Sequence, residues 1–186
     1  MNSINSTERL GKQHDGVTHI RIHMDAATPL GRFLATVTPV VLQTEHGRFQ
    51  SIEGYYRYRR YLECLRLADV PMETFIEVLA KLEPLRDVSG KNAIKVGGEV
   101  HTSLYGYTKL NLKMAPTEDQ AQDIQRAIIQ KFKAHPNFMT IALDNQLPLT
   151  AYYEDPKDGR IVCNGRFSWY PRQVMLAIDV IKGIYQ

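Results

Sequence analysis

Phe49-Gln50-Ser51-Ile52-Glu53-Gly54-Tyr55-Tyr56 is the junction on which the fold turns: a hairpin strand ends and a helix starts without a linker. Ser51 stands at the N-cap, where its hydroxyl accepts from an orphan amide of the first turn. Glu53 lies in that first turn, where the helix dipole favours a carboxylate. Tyr56, Arg57 and Arg60 follow it at three, four and seven residues, so helical geometry sets all four side chains on one stripe. An acid, a phenol and two guanidinium groups in line suit an anionic, sugar-containing ligand. The plain alternative is an exposed i,i+4 pair between Glu53 and Arg57, worth ~0.3–0.5 kcal/mol.

Working outward, Tyr55, Tyr58, Leu62 and Leu65 give this helix an apolar stripe and predict that it runs to about Leu67. Before it, residues 45–48 read as a turn, and residues 33–42 as a strand that Pro39 confines to an edge or bulge. Residues 26–32, with Pro29 and Gly31, read as a loop. In residues 17–24, Ile20, Ile22 and Met24 alternate with His19, Arg21 and His23, the pattern of a half-buried strand whose histidine face is solvated. Two histidines without a third ligand are read as a polar sheet face, not a metal site.

After the helix, Pro71 and Met72 start another that reaches about Leu82. Residues 93–98 read as a short helix ended by Gly97-Gly98. Residues 105–114 are ambiguous. Thr117-Glu118-Asp119-Gln120 is a capping box, and Ala121, Ile124, Ile128 and Phe132 carry core spacing up to His135-Pro136. Residues 138–143 are helical, 147–153 a strand, 155–159 a turn, and 161–163 its returning strand. Pro171 fits the first turn of a last helix that ends near Gly183.

The sum is one α+β domain over residues 17–186, a small antiparallel sheet with surrounding helices, preceded by a mobile arm over residues 1–16. At 186 residues the chain is long enough to bury a core. Its net charge of +3 is too mild to argue nucleic-acid binding on charge alone. Cys64 and Cys163 lack metal-type spacing and read as free thiols of a reducing compartment. No apolar run reaches membrane-spanning length, and a cytoplasmic location is expected.

Arg32-Phe33-Leu34, the hairpin residues Gly47-Arg48-Phe49, and Ser51-Ile52-Glu53 before a tyrosine-bearing helix, taken in this order, resemble the NADAR (YbiA-like) family. Glu53, Tyr56 and Tyr61 fall on the family's Glu, Tyr and Phe. Asn92-Ala93-Ile94-Lys95-Val96-Gly97, the run from Ala127 to Phe132 with His135-Pro136-Asn137, and Leu147-Pro148-Leu149-Thr150 follow in the family's order.

The resemblance implies a hydrolase of N-glycosidase type, cleaving the ribose C1′–N bond of an ADP-ribose-like or phosphoribosyl substrate, ADP-ribosylated nucleic acid included. Breaking that bond builds an oxocarbenium-like cation that a carboxylate stabilises, and the same group activates water. Glu53 takes that catalytic role. Arg57 and Arg60 engage phosphate, Tyr56 orients the acid or lines the pocket, and Lys95 and Trp169 complete the substrate contacts. No cofactor and no metal are expected.

The chain departs from the family at Gly54, where a His is usual, and at Arg60, where a Lys is usual. A guanidinium cannot replace an amine as nucleophile. The family's late Asp-Trp motif is absent, with Asp155, Asp158 and Trp169 as loose stand-ins. These departures keep a second reading open: a catalytically inactive nucleotide- or nucleic-acid-binding protein on the same scaffold. A third is a purely structural protein with the stripe flat and exposed.

Overall fold

The structure is a computed structural model that describes residues 10–155, 160–162 and 165–185. It is a mixed α/β chain with seven α-helices and three two-stranded ladders among the described residues. Two compact units divide it. One joins the chain up to Ala35 to the chain from Phe132 onward, and the other is the continuous stretch Thr36–Lys131.

The continuous unit is built on α2, Ile52–Ala68. Ser51 caps it as expected: its Oγ accepts from Gly54 N at 3.1 Å and donates to the Val88 carbonyl at 2.7 Å. Asp69 ends it in the left-handed region at φ 46°. The hairpin β2, Leu42–Thr44, with β3, Gly47–Phe49, pairs Leu42 with Phe49 in antiparallel register and leads into it. Of the stripe read from the sequence, Tyr55, Tyr58 and Leu65 are buried and Leu62 is half-buried, while Ile52, Tyr61 and Cys64 join the buried face. α3, Met72–Leu82, and α4, Gly90–Ser103, pack on α2. α4 runs 14 residues, straight through Gly97-Gly98 where a stop was expected. Gly97 is there for another reason. A Cβ on it would lie 2.5 Å from Cδ of Arg57. Residues 105–114 form turns.

α5, Glu118–Ala134, opens on the predicted capping box. Thr117 N donates to Gln120 Oε1 at 3.0 Å, and Gln120 N donates to Thr117 Oγ1 at 3.3 Å. Ile124, Ala127, Ile128 and Phe132 are buried, as their spacing requires.

In the discontinuous unit, the expected strand over residues 17–24 shrinks to β1, Ile20–Arg21. Its partner is β4, Leu149–Thr150, and the pairing is parallel. The expectation of one antiparallel sheet gives way to separate ladders, two antiparallel and one parallel. β1 also lacks a solvated face, since His19, Ile20, Arg21 and Ile22 are all buried. The predicted loop over residues 26–32 gives way from Pro29 to α1, Pro29–Leu34. The strand expected over residues 33–42 is helix at 33–34 and turns or irregular chain at 35–41, and strand begins only at Leu42. Thr28 caps α1 by accepting from Gly31 N at 3.0 Å, with Pro29 at the first helical position.

Phe33 on α1 stacks on Phe138 of α6, Pro136–Asp144, with ring centroids 4.3 Å apart and planes 2° from parallel. Phe132 and His135 close round the same ring at 5.6 and 5.4 Å. Burying such a ring contributes ~2–3 kcal/mol. β5, Tyr153–Glu154, pairs with β6, Ile161–Val162, as the late hairpin. α7, Gly165–Tyr185, starts six residues before Pro171 and so carries that proline inside it. Val174, Ala177, Ile178 and Ile181 form its buried face.

Among the described residues no helix is long and apolar enough to cross a membrane. At the chain start, residues 12–14 form a single 3-10 turn, and Asp15 after it is buried. Cys163 and Asp158 lie outside the described residues. Cys64 is a free buried thiol whose Sγ donates to the Asn111 carbonyl at 3.2 Å.

Candidate functional site

Glu53 sits in the first turn of α2 with its side chain 15% exposed. Thr36 holds it twice. The Thr36 carbonyl accepts from Glu53 N at 2.8 Å, and the Thr36 hydroxyl donates to Glu53 Oε2 at 2.8 Å. The other carboxylate oxygen accepts from Arg57 Nε at 2.6 Å. The i,i+4 spacing read from the sequence is therefore a formed ion pair, half-buried rather than laid on open surface.

Gly54, at the position where the resembled family carries His, has a structural cause. A Cβ there would lie 2.2 Å from the Leu85 carbonyl oxygen. Any side chain would push α2 off the turn that follows α3.

Arg57 continues the line. Its stem lies across Gly97 of α4. Burial works against the charged form of Arg57, but the adjacent Glu53 and the Tyr61 hydroxyl more than offset it and raise its pKa. Tyr61 hydroxyl meets His101 Nδ1 at 2.9 Å, and His101 Nε2 meets Tyr105 hydroxyl at 3.1 Å. Burial pushes the Tyr61 phenol upward, with Arg57 and Arg60 pulling against it. The result is a continuous polar line from Thr36 through Glu53, Arg57, Tyr61 and His101 to Tyr105.

The other sequence candidates divide. Tyr56 is partly exposed on α2. Arg60 turns to the chain itself: its Nη2 donates to the Leu112 carbonyl at 2.5 Å, and its Nε is buried without a partner. Lys95 is 75% exposed and pairs with Glu99 at 3.9 Å. It lies two residues from Gly97, about 200° round α4 from the face that meets Arg57. Trp169 is half-buried on α7, beside Tyr170 at 6.5 Å between ring centroids. Glu53 and Arg57 are thus brought together, while Lys95 is not.

Thr36, His101 and Tyr105 escaped the sequence reading. Gly97, His101 and Tyr105 are spaced four apart. That signal shows only if the helix is continued past Gly97-Gly98.

Lys131 escaped it too. It is buried on α5, and burial pushes its ammonium down to about 7.

The described residues contain one group with metal-ligand geometry, Glu45, His46 and Asp123, whose donor atoms lie within 4.8 Å of one another. Asp123 already accepts from Arg59 Nε at 2.6 Å on one oxygen and from Arg126 on the other. Two guanidinium groups on one ligand oppose a dication there. The arrangement fits an internal ion network better than a metal centre.

No family model, no curated protein and no solved structure matches this chain.

Proposed function

We propose that this protein is a hydrolase of N-glycosidase type on a YbiA-like scaffold, acting on the ribose C1′–N bond of an ADP-ribose-like or phosphoribosyl compound. ADP-ribosylated nucleic acid belongs to that class, and the site of action is the cytoplasm. The observation that carries the reading is the held carboxylate of Glu53. A hydroxyl and a guanidinium fix its two oxygens, yet the side chain keeps 15% of its surface. Such an acid is oriented before substrate arrives. A fixed carboxylate opposes the positive charge that develops at C1′ as the base leaves. Its remaining lone pairs are there to orient a water. Arg57 supplies the guanidinium for a phosphate, and Tyr56 the adjoining phenol.

A second reading is favoured by a specific observation. Both oxygens of Glu53 are engaged, and Arg60 is spent on the Leu112 carbonyl. That arrangement serves a nucleotide- or nucleic-acid-binding protein without chemistry equally well.

One experiment separates the two. NAD, ADP-ribosylated DNA and ribosylamines are incubated with the native chain and with Glu53→Gln, and the released base or ADP-ribose is measured by mass spectrometry. The hydrolase reading expects release by the native chain, a loss of at least about a hundredfold in Glu53→Gln, and a nearly unchanged melting temperature. Release that survives Glu53→Gln at full rate removes Glu53 from the reaction. Binding without release by either protein moves the conclusion to the second reading.

A further inference from the structure

The alternation of residues 17–24 predicts a solvated His/Arg face, and the structure buries it. His19 is 1% exposed and Arg21 2%. Arg21 pairs with Thr150 across the parallel β1–β4 ladder, so their side chains leave the ladder on the same side. Arg21 Nε and Thr150 Oγ1 are both buried and both without a hydrogen-bond partner. Tyr152 lies beside them, its ring 4.9 Å from Arg21 Cζ, and its hydroxyl meets His19 Nε2 at 3.2 Å.

The charge of Arg21 is poorly answered. Asp25 takes its Nη1 at 3.1 Å, but Asp25 is 57% exposed and is shared with His23. Asp15, which is buried, accepts from the backbone instead, from Arg21 N at 2.8 Å and Ala27 N at 2.6 Å. A guanidinium out of water needs a paired counter-charge and filled donors. The edge not used by Asp25 is the one on which Nε–H and Nη2–H run parallel, the fork that a carboxylate or phosphate accepts from in two places. The Thr150 hydroxyl stands ready as a third donor, and β4 is half-exposed.

We propose that this face of the β1–β4 ladder binds a small oxyanion, which accepts from the Arg21 fork and from Thr150 Oγ1. It uses none of the residues of the Glu53 line and is independent of any reading of that line. A tetrahedral phosphate and a planar carboxylate share the chemistry, and the test distinguishes them.

Inorganic phosphate, sulfate and acetate are titrated into the full chain, read by calorimetry and by the shift in melting temperature. The native chain binds at least one of them saturably. Thr150→Val keeps the side-chain shape and removes the hydroxyl, and it weakens that binding about tenfold or more. Arg21→Lys keeps the charge, loses the fork and weakens it at least as much. Should Arg21→Lys fail to fold, Thr150→Val decides alone. Absence of saturable binding for all three anions overturns the proposal. So does binding that Thr150→Val leaves intact, or that Arg57→Gln abolishes instead, since that places the anion on the Glu53 line.

Discussion

Lys131 is a lysine buried on α5. Burial makes its charged form costly and brings the folded-state pKa to about 7, against 10.5 for the free side chain. Between those values the unfolded chain binds a proton that the folded chain does not. Stability therefore rises with pH from about 7 upward, by at most ~1.4 kcal/mol per pH unit. Tyr55 sets the upper limit of that window. Burial pushes its phenol from 10 to about 12, so the folded chain keeps a proton that the unfolded chain loses, and stability falls above pH 10. Urea unfolding between pH 7 and 9.5 is expected to give a rising midpoint for the native chain and a flatter line for Lys131→Met. Parallel lines would mean that Lys131 stays charged inside. Arg59 and Asp123 form a buried ion pair, with 11% and 3% of the side chains exposed. Arg59→Met leaves Asp123 buried without its main partner and is expected to cost ~3–5 kcal/mol in chemical denaturation. The double variant Arg59→Met with Asp123→Leu is expected to recover most of that.

At the scale of the element, what the sequence made readable was whatever a local side chain decides. Ser51 and Thr117 start α2 and α5 because their hydroxyls reach amides three residues on, and that chemistry needs no partner from elsewhere. The Glu53–Arg57 pair was visible for the same reason, one turn of one helix. Thr28-Pro29 is a start signal of equal quality for α1, but Pro29 and Gly31 together carry the local signature of a loop and mask it. The alternation at His19–Ile22 misled in another way. It gives the period but not whether the polar side meets water, and here tertiary burial took both faces. Gly97-Gly98 read as a helix stop, whereas α4 continues because its own bonds do. Gly97 answers a neighbour, the stem of Arg57. That places the α2–α4 contact under the control of one hydrogen atom. Gly97→Ala gains helix propensity of up to ~1 kcal/mol in isolation, but its methyl group needs the space of Arg57 Cδ. The expected outcome is a net loss of stability, with Arg57 displaced from Glu53. A melting temperature at or above that of the native chain would show that Arg57 moves aside at no cost.

The whole molecule divides its contacts by range. In the continuous unit, the ion pair of Arg59 and Asp123 spans 64 residues, and the hairpin and the i,i+4 pairs are more local. In the discontinuous unit, the His19–Tyr152 bond spans 133 residues and the bond from Tyr170 to the Leu34 carbonyl 136. The parallel pairing of β1 with β4 is of the same kind, since parallel neighbours need a long crossover. This is why the discontinuous unit was the less legible of the two. No window of sequence contains both strands, so neither the partner of residues 17–24 nor the burial of Arg21 can be read from local pattern. It also sets an order of events. Closing a loop of more than a hundred residues costs chain entropy before any contact rewards it, and such contacts form late. In refolding followed by pulsed hydrogen exchange, the α2 amides from Arg57 to Leu65 are expected to gain protection first. The amides of Ile20 and Ile22, which donate to the carbonyls of Pro148 and Thr150 at 2.9 and 2.7 Å, gain it later. Protection of both groups in one phase would mean that the β1–β4 ladder belongs to the folding nucleus, and that range of contact does not govern the order here.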